Sequence, residues 1–306
     1  MRSFPAFIIL LGAFWVGSLA FGQISILVET DHERYVTHED VNFNVTLRNM
    51  SGSALSFGDK PGDGKILLEV FDNSHREVQP FPAVDSVGEP VRVSPRSLNF
   101  GLGMTLPNGL SKEVVIPVNK FFPLNRDGYY EVKVRVRHPR MQYDYISKPI
   151  RISVTEGTEF YKTIVGIPSE RKGKIEEREL VVNIFQAETE QLYVVRSQDD
   201  DYVYNVVRLA PRVRGVEPMM SVDARNQLHF MVQTQSRLFS HWIIDPHGLV
   251  KEEAHYIVED GLMLPHLVSD PDIGRVMVVG GRRAREGIDY NDVQLPVMEA
   301  IEIQPN

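Results

Sequence analysis

Five histidines, His229, His241, His247, His255 and His266, lie among Asp223, Asp245, Glu252, Glu253, Asp270 and Asp272. Imidazole beside carboxylate is the raw material of zinc ligation and of general-base hydrolysis. No His-Glu-any-any-His helix occurs and no pair has the compact spacing of a structural metal site, so no metal and no cofactor are expected. His229 alternates against Leu228 and Phe230, while His241 shares a face with Phe239 and Ile243. If these two strands pair antiparallel about Gln235-Ser236, the histidines lie across from one another. With Asp223 and Asp245 they would then form the one candidate catalytic set, that of a hydrolase. The first expectation remains that no catalytic centre exists.

Other constellations are poorer. There is no Gly-any-Ser-any-Gly elbow, and with no cysteine a thiolate nucleophile is excluded. Asp199-Asp200-Asp201 lacks the oxygen spacing of a calcium loop and reads as a solvated hairpin turn. Gly280-Gly281 lacks the lysine and helix of a phosphate loop. Its neighbours Arg282 and Arg283, with Arg285, form a small basic patch that either holds an anion or, the simpler reading, keeps a turn soluble. Tyr143 and Tyr145 alternate, as do Tyr202 and Tyr204, and outward-facing rings of this kind stack on sugars or grip peptides.

The elements that would carry these groups are strands. Val41 to Leu47, Tyr130 to Arg137 and Ile150 to Val154 alternate apolar and polar residues, which gives each strand one buried and one wet face. Lys65 to Phe71 and Lys112 to Val118 read likewise, and turn signals such as Pro61-Gly62-Asp63-Gly64 and Pro107-Asn108-Gly109 separate the runs. The fold class is therefore all-β, beginning with a sandwich over residues 23–155. Phe81 to Leu106, with Pro82, Pro90 and Pro95, departs from the alternation and reads as an insertion or a surface loop. Residues 156–178 are dense in charge and read as a connector. Residues 179–306 read as a β-repeat domain: the strand at Gln191-Leu192-Tyr193 returns at Gln227-Leu228-His229, and a third copy starts at Arg275.

The chain opens with Arg2, an apolar run from Phe7 to Val16, and small residues Ala20 and Gly22, the parts of a signal peptide. Cleavage after Gly22 leaves Gln23 first, just ahead of the strand-like Ile24 to Val28. No second membrane segment follows, so no transmembrane segment is expected in the mature chain, and without a cysteine to acylate no lipid anchor is expected. A secreted or periplasmic location follows. Absence of cysteine also means that the exported fold must be held by its cores alone. The formal charge of −8 makes nucleic acid an unsuitable partner.

Two segments carry a resemblance. Tyr35 to Asn49, where a tyrosine precedes an acidic turn and the strand ends at Leu47-Arg48-Asn49, resembles the second-strand region of extracellular immunoglobulin-like modules. Leu124 to Val132, with Gly128-Tyr129-Tyr130-Glu131-Val132, resembles a late strand of the same modules. The second half weakly resembles secreted β-propeller repeats, in Glu217-Pro218 to Asp223 and Leu264-Pro265 to Asp270, although Asp223-Ala224-Arg225-Asn226 lacks the expected glycine. Too few units fit to close a ring, so an incomplete propeller or curved antiparallel sheet is expected. Such folds do not specify activity. The expectation is an exported, non-enzymatic binding or scaffolding protein for a protein or carbohydrate ligand. The alternatives are the hydrolase around His229 and His241, and a structural subunit that self-associates or joins an envelope assembly.

Overall fold

The structure is a computed structural model that describes residues 23–84, 90–168, 175–270 and 272–291. The signal-peptide expectation for residues 1–22 lies outside them. In the first half the strands are β1 (Ile24–Thr30), β2 (Arg34–Val36), β3 (Asn42–Asn49), β4 (Leu55–Phe57), β5 (Lys65–Phe71), β6 (Ala83–Val84), β7 (Pro90–Val91), β8 (Met104–Leu106), β9 (Ser111–Pro117), β10 (Gly128–Arg137), β11 (Tyr145–Ile146) and β12 (Ile150–Thr155).

Two sheets face one another. One has the order β1-β3-β9. In the other, β10 is central: β5 lies along one edge, β12 and then β11 along the other, and β2 runs parallel to β12 outside it. Phe43, Val45 and Leu47 of β3 meet Val132, Val134 and Val136 of β10 in one core. Burying each such side chain contributes about 1.5–3 kcal/mol. Asn49 ends β3 because its buried amide donates to the carbonyls of Ser53 and Leu106 at 2.8 and 2.9 Å, satisfying two loops at once. The proline-rich stretch after Phe81 contributes the two-residue strands β6 and β7, a short 3-10 turn at Pro95–Ser97, and β8, which pairs with β4.

The second half comprises β13 (Thr158–Pro168), β14 (Ile175–Gln186), β15 (Gln191–Gln198), β16 (Val203–Pro211), β17 (Met219–Val222), β18 (Leu228–Gln233), β19 (Leu238–Ile244), β20 (Val250–Ile257), β21 (His266–Asp270), β22 (Arg275–Val279) and β23 (Arg282–Arg283). β13 to β16 form one antiparallel meander, β17 to β20 a second with β23 on its edge, and β21 and β22 a hairpin. Within the connector expected at 156–178, β13 and the start of β14 are paired strands, while residues 169–174 lie outside the described residues. Among its described residues, Lys162 pairs across the strands with Glu179, and Arg178 with Asp199 at 2.8 Å. The recurrence from Gln191 to Gln227 is a hairpin recurrence, because β15 is the third strand of its sheet and β18 the second of its own.

The first meander is covered on both faces. Leu180, Val182, Tyr193 and Val195 pack against Leu228, Phe230, Trp242 and Ile244 of the second meander. Phe185, Ala187 and Val194 pack against Val36 of the sandwich. Arg208 of β16 completes that junction, pairing with Glu39 at 2.5 Å and donating to the carbonyl of Arg34 at 2.6 Å. Glu188 accepts the N–H groups of Glu33 and Arg34 at 2.7 and 3.0 Å. The chain is thus all-β, built of several mainly antiparallel sheets, and among the described residues the second half closes no ring.

Candidate functional sites: a buried histidine pair and an open groove

His229 and His241 do come together. In the β18–β19 register Met231 faces His241 and His229 faces Ile243, so the histidines are diagonal neighbours on one sheet face. His229 Nδ1 lies 3.1 Å from His241 Nε2, and the rings stack with an interplanar angle of 20°. His229 Nε2 is 3.6 Å from Asp223 Oδ2, longer than a hydrogen bond, and has no other partner. Asp223 is fixed by its own turn, its Oδ1 accepting the N–H groups of Arg225 and Gln227. A proton on His241 Nε2 shared with His229 Nδ1 leaves the His229 proton on Nε2, facing the carboxylate. That single arrangement suits both neutral rings and Asp223 together.

Both rings are almost entirely buried, His229 at 4% and His241 at 5% exposure. Burial pushes the His229 pKa down against the opposing pull of Asp223. Burial and then the His229 charge push His241 down to about 4. A cleft of about 520 Å³ lies alongside, lined by Asp223, Arg225, His229, Ile243, Glu252 and Arg275 among others. His229 lines that cleft, but its Nε2 atom is itself buried and has no hydrogen-bond partner there. Asp245 does not join the set: it accepts the N–H groups of His247 and Leu249 and pairs with Lys251 at 2.9 Å. No group of three His, Asp or Glu side chains suited to a metal occurs among the described residues.

The expected binding residues are scattered. Tyr143 is exposed, but Tyr145 packs against the sandwich core and its hydroxyl accepts from the N–H of Gln23 at 3.1 Å, so the two rings form no common row. Tyr202 and Tyr204 do share an outer face, with centroids 6.5 Å apart, and the Arg178 guanidinium lies 3.7 Å over the Tyr204 ring. Arg282 is no free anion site, because Glu259 and Asp289 neutralise it. Arg283 pairs with Glu252 at 3.3 Å. Gly280 has φ +83 and a side chain there would strike the Leu264 carbonyl, which accounts for the glycine pair without a phosphate.

No residue pattern in the sequence marks the groove on the sandwich. One cavity of about 600 Å³ is lined by Asp72, Asn73, His75, Tyr129, Glu131 and Arg151 among others. A neighbouring one of about 680 Å³ runs past Glu29, Thr30, Pro149 and Ile150 and shares Glu33, Glu131 and Arg151 with the first. Tyr129 stands 65% exposed at its wall, while the next ring, Tyr130, is turned inward and donates its hydroxyl to the Arg126 carbonyl at 3.1 Å. Alternation along β10 sets these adjacent rings on opposite faces, which by itself marks no groove.

No family model matches the chain, and no curated protein matches it significantly. Among solved structures, the crystal structure of Spo0M, a sporulation control protein from Bacillus subtilis, aligns with a TM-score of 0.28 and 11% identity, over 62% of this chain and 90% of that one. A likeness at that score carries no argument about fold or function.

Proposed function

We propose that this is an exported, non-enzymatic binding protein that takes its ligand in the sandwich groove. The observation that carries the reading is the groove itself: two adjoining cavities joined through Glu33, Glu131 and Arg151, with an exposed tyrosine ring at one wall. Concave surfaces with an aromatic wall and a few convergent polar groups are where ligands are held. The burial of His229 Nε2, the histidine nitrogen nearest Asp223, is in keeping with the non-enzymatic side of the reading. No helix among the described residues is long and apolar enough to cross a membrane.

The fold supports a finer reading as well. The β1-β3-β9 and β2-β12-β10-β5 orders, with the first strand split between sheets, suit an immunoglobulin-like sandwich. So does the Tyr130 hydroxyl bonded back to Arg126, the tyrosine corner of such domains. Two stacked antiparallel meanders suit an open, propeller-like second domain.

Two measurements test the reading. The protein expressed with its leader in a bacterial host is expected outside the cytoplasm with Gln23 as its first residue; an intact Met1 in the cytoplasm overturns export. Titration calorimetry with chitohexaose and with a ten-residue alternating Lys-Val peptide is expected to give heat of binding for at least one, lost in Tyr129→Ala/Arg151→Ala. If neither binds, the groove is not the ligand surface.

A further inference from the structure

We propose that the groove takes an extended polypeptide segment, which adds as a strand to the open edge of β12 beside β2. This rests on the reading of the groove as the ligand surface and names the class of ligand.

β12 pairs with β10 from Ile150 to Val154 along one edge. On the other edge β2 covers only Ser153, Val154 and Thr155. There the N–H of Ser153 donates to the Glu33 carbonyl at 2.8 Å, and the N–H of Thr37 to the Thr155 carbonyl at 3.1 Å. Alternate residues of a strand turn their N–H and C=O to the same side. Two residues before Ser153, the N–H and C=O of Arg151 therefore point out of the sheet on that same uncovered edge. Arg151 lines both cavities, so the open edge runs along the groove.

An uncovered edge is a template for another strand, with main-chain bonds supplying affinity and alternate side chains supplying specificity. A sugar has no such ladder to offer. Charge narrows the segment further. Asp72 is matched by Arg76 at 2.9 Å and Glu131 by Lys133 at 2.7 Å. Glu29 and Glu33 have no ion pair with a basic side chain among the described residues, while Arg151 lies 3.6 Å from Glu131 and Arg34 points away to the Ala187 carbonyl at 3.4 Å. Two unmatched carboxylates beside the open edge favour a segment with basic side chains. Tyr129, directly across the ladder from Ser153, offers a ring face to an aliphatic or cationic neighbour.

The test is fluorescence anisotropy of a fluorescein-labelled ten-residue peptide of alternating lysine and valine, with the full chain. The peptide is expected to bind, and N-methylation of alternate peptide nitrogens is expected to weaken it about tenfold or more, the loss of one or more main-chain bonds. Arg151→Pro, which deletes an outward N–H at an edge position that tolerates proline, is expected to weaken binding about tenfold, whereas Arg151→Ala keeps the N–H and is expected to cost less. Glu29→Gln/Glu33→Gln is expected to reduce binding of this peptide and not of an alternating Glu-Val peptide. Equal affinity for the N-methylated peptide overturns strand addition, and that comparison uses the unaltered protein. Binding of chitohexaose alone overturns the polypeptide while the groove stands; binding of neither overturns the groove as well.

Discussion

The cleft beside His229 and the groove beside Tyr129 are of similar size, about 520 and 600 Å³, and opposite in what they offer. At the first, the imidazoles are enclosed and bonded to one another. At the second, the ring and the strand edge are open, and Glu29 and Glu33 lack a basic partner among the described residues. Titratable residues in proximity are therefore not by themselves a site. The buried pair makes stability depend on pH, whereas the groups of the exposed groove are left to solvent or to a ligand.

The largest effect expected of a single substitution lies in the layer that encloses the histidine sheet. Phe230 contacts Tyr193 of the first meander and Trp242 of its own sheet, at centroid distances of 5.2 and 5.9 Å. Phe230→Ala is expected to lose about 4 kcal/mol through lost burial and the cavity left behind. Outside residues 1–22 Trp242 is the only tryptophan, so its fluorescence during urea unfolding reads this region directly. A loss under about 1 kcal/mol would show that the two meanders do not share a core.

Next comes acid. His241 has an unfolded pKa near 6.5 and a folded one near 4, so between those values the unfolded chain binds the extra proton. The stabilisation is complete above pH 6.5 and falls as pH drops towards 4, by about 3 kcal/mol for His241 at 1.36 kcal/mol per unit. The His229 shift has the same sign and adds to the slope. His229→Phe/His241→Phe is expected to flatten the pH dependence of the Trp242 transition across this window. An unchanged slope would mean that the pair is open to water, and would return it to consideration as a base.

Alternation made much of the sandwich legible, since Phe43, Val45 and Leu47 name the buried face of β3 without coordinates. It also placed His229 and His241 on a common face once the Gln235-Ser236 turn was found. The diagonal register was not legible, because it depends on how the residues from Thr234 to Leu238 close the hairpin. Charge misled twice. Arg178 looked like part of a solvated connector and is buried under Tyr204, and Arg282 looked like an anion site although its carboxylates arrive from Glu259 and Asp289. The groove left no trace because it arises from pairing that stops: β2 ends its partnership with β12 at Ser153, and no local pattern encodes where a neighbouring strand is missing.

The smallest effect asks whether the two regions belong to one cooperative unit. Tyr130→Phe removes only the hydroxyl bonded to the Arg126 carbonyl, at the start of the strand that carries Tyr129, and is expected to cost about 1 kcal/mol. The change sits in the sandwich, far along the chain from Trp242. Val36 packed on Phe185 and Arg208 paired with Glu39 join the halves, so the Trp242 transition is expected to move by the full amount measured by circular dichroism. Arg208→Ala in the same background leaves Glu39 without its partner and weakens that junction. Two separated transitions, with Trp242 no longer sensing Tyr130→Phe, would then show that Arg208 is the coupling element. If Trp242 is blind to Tyr130→Phe even with Arg208 present, the sandwich and the stacked meanders unfold independently, and the acid sensitivity of the histidine pair stays confined to the second half.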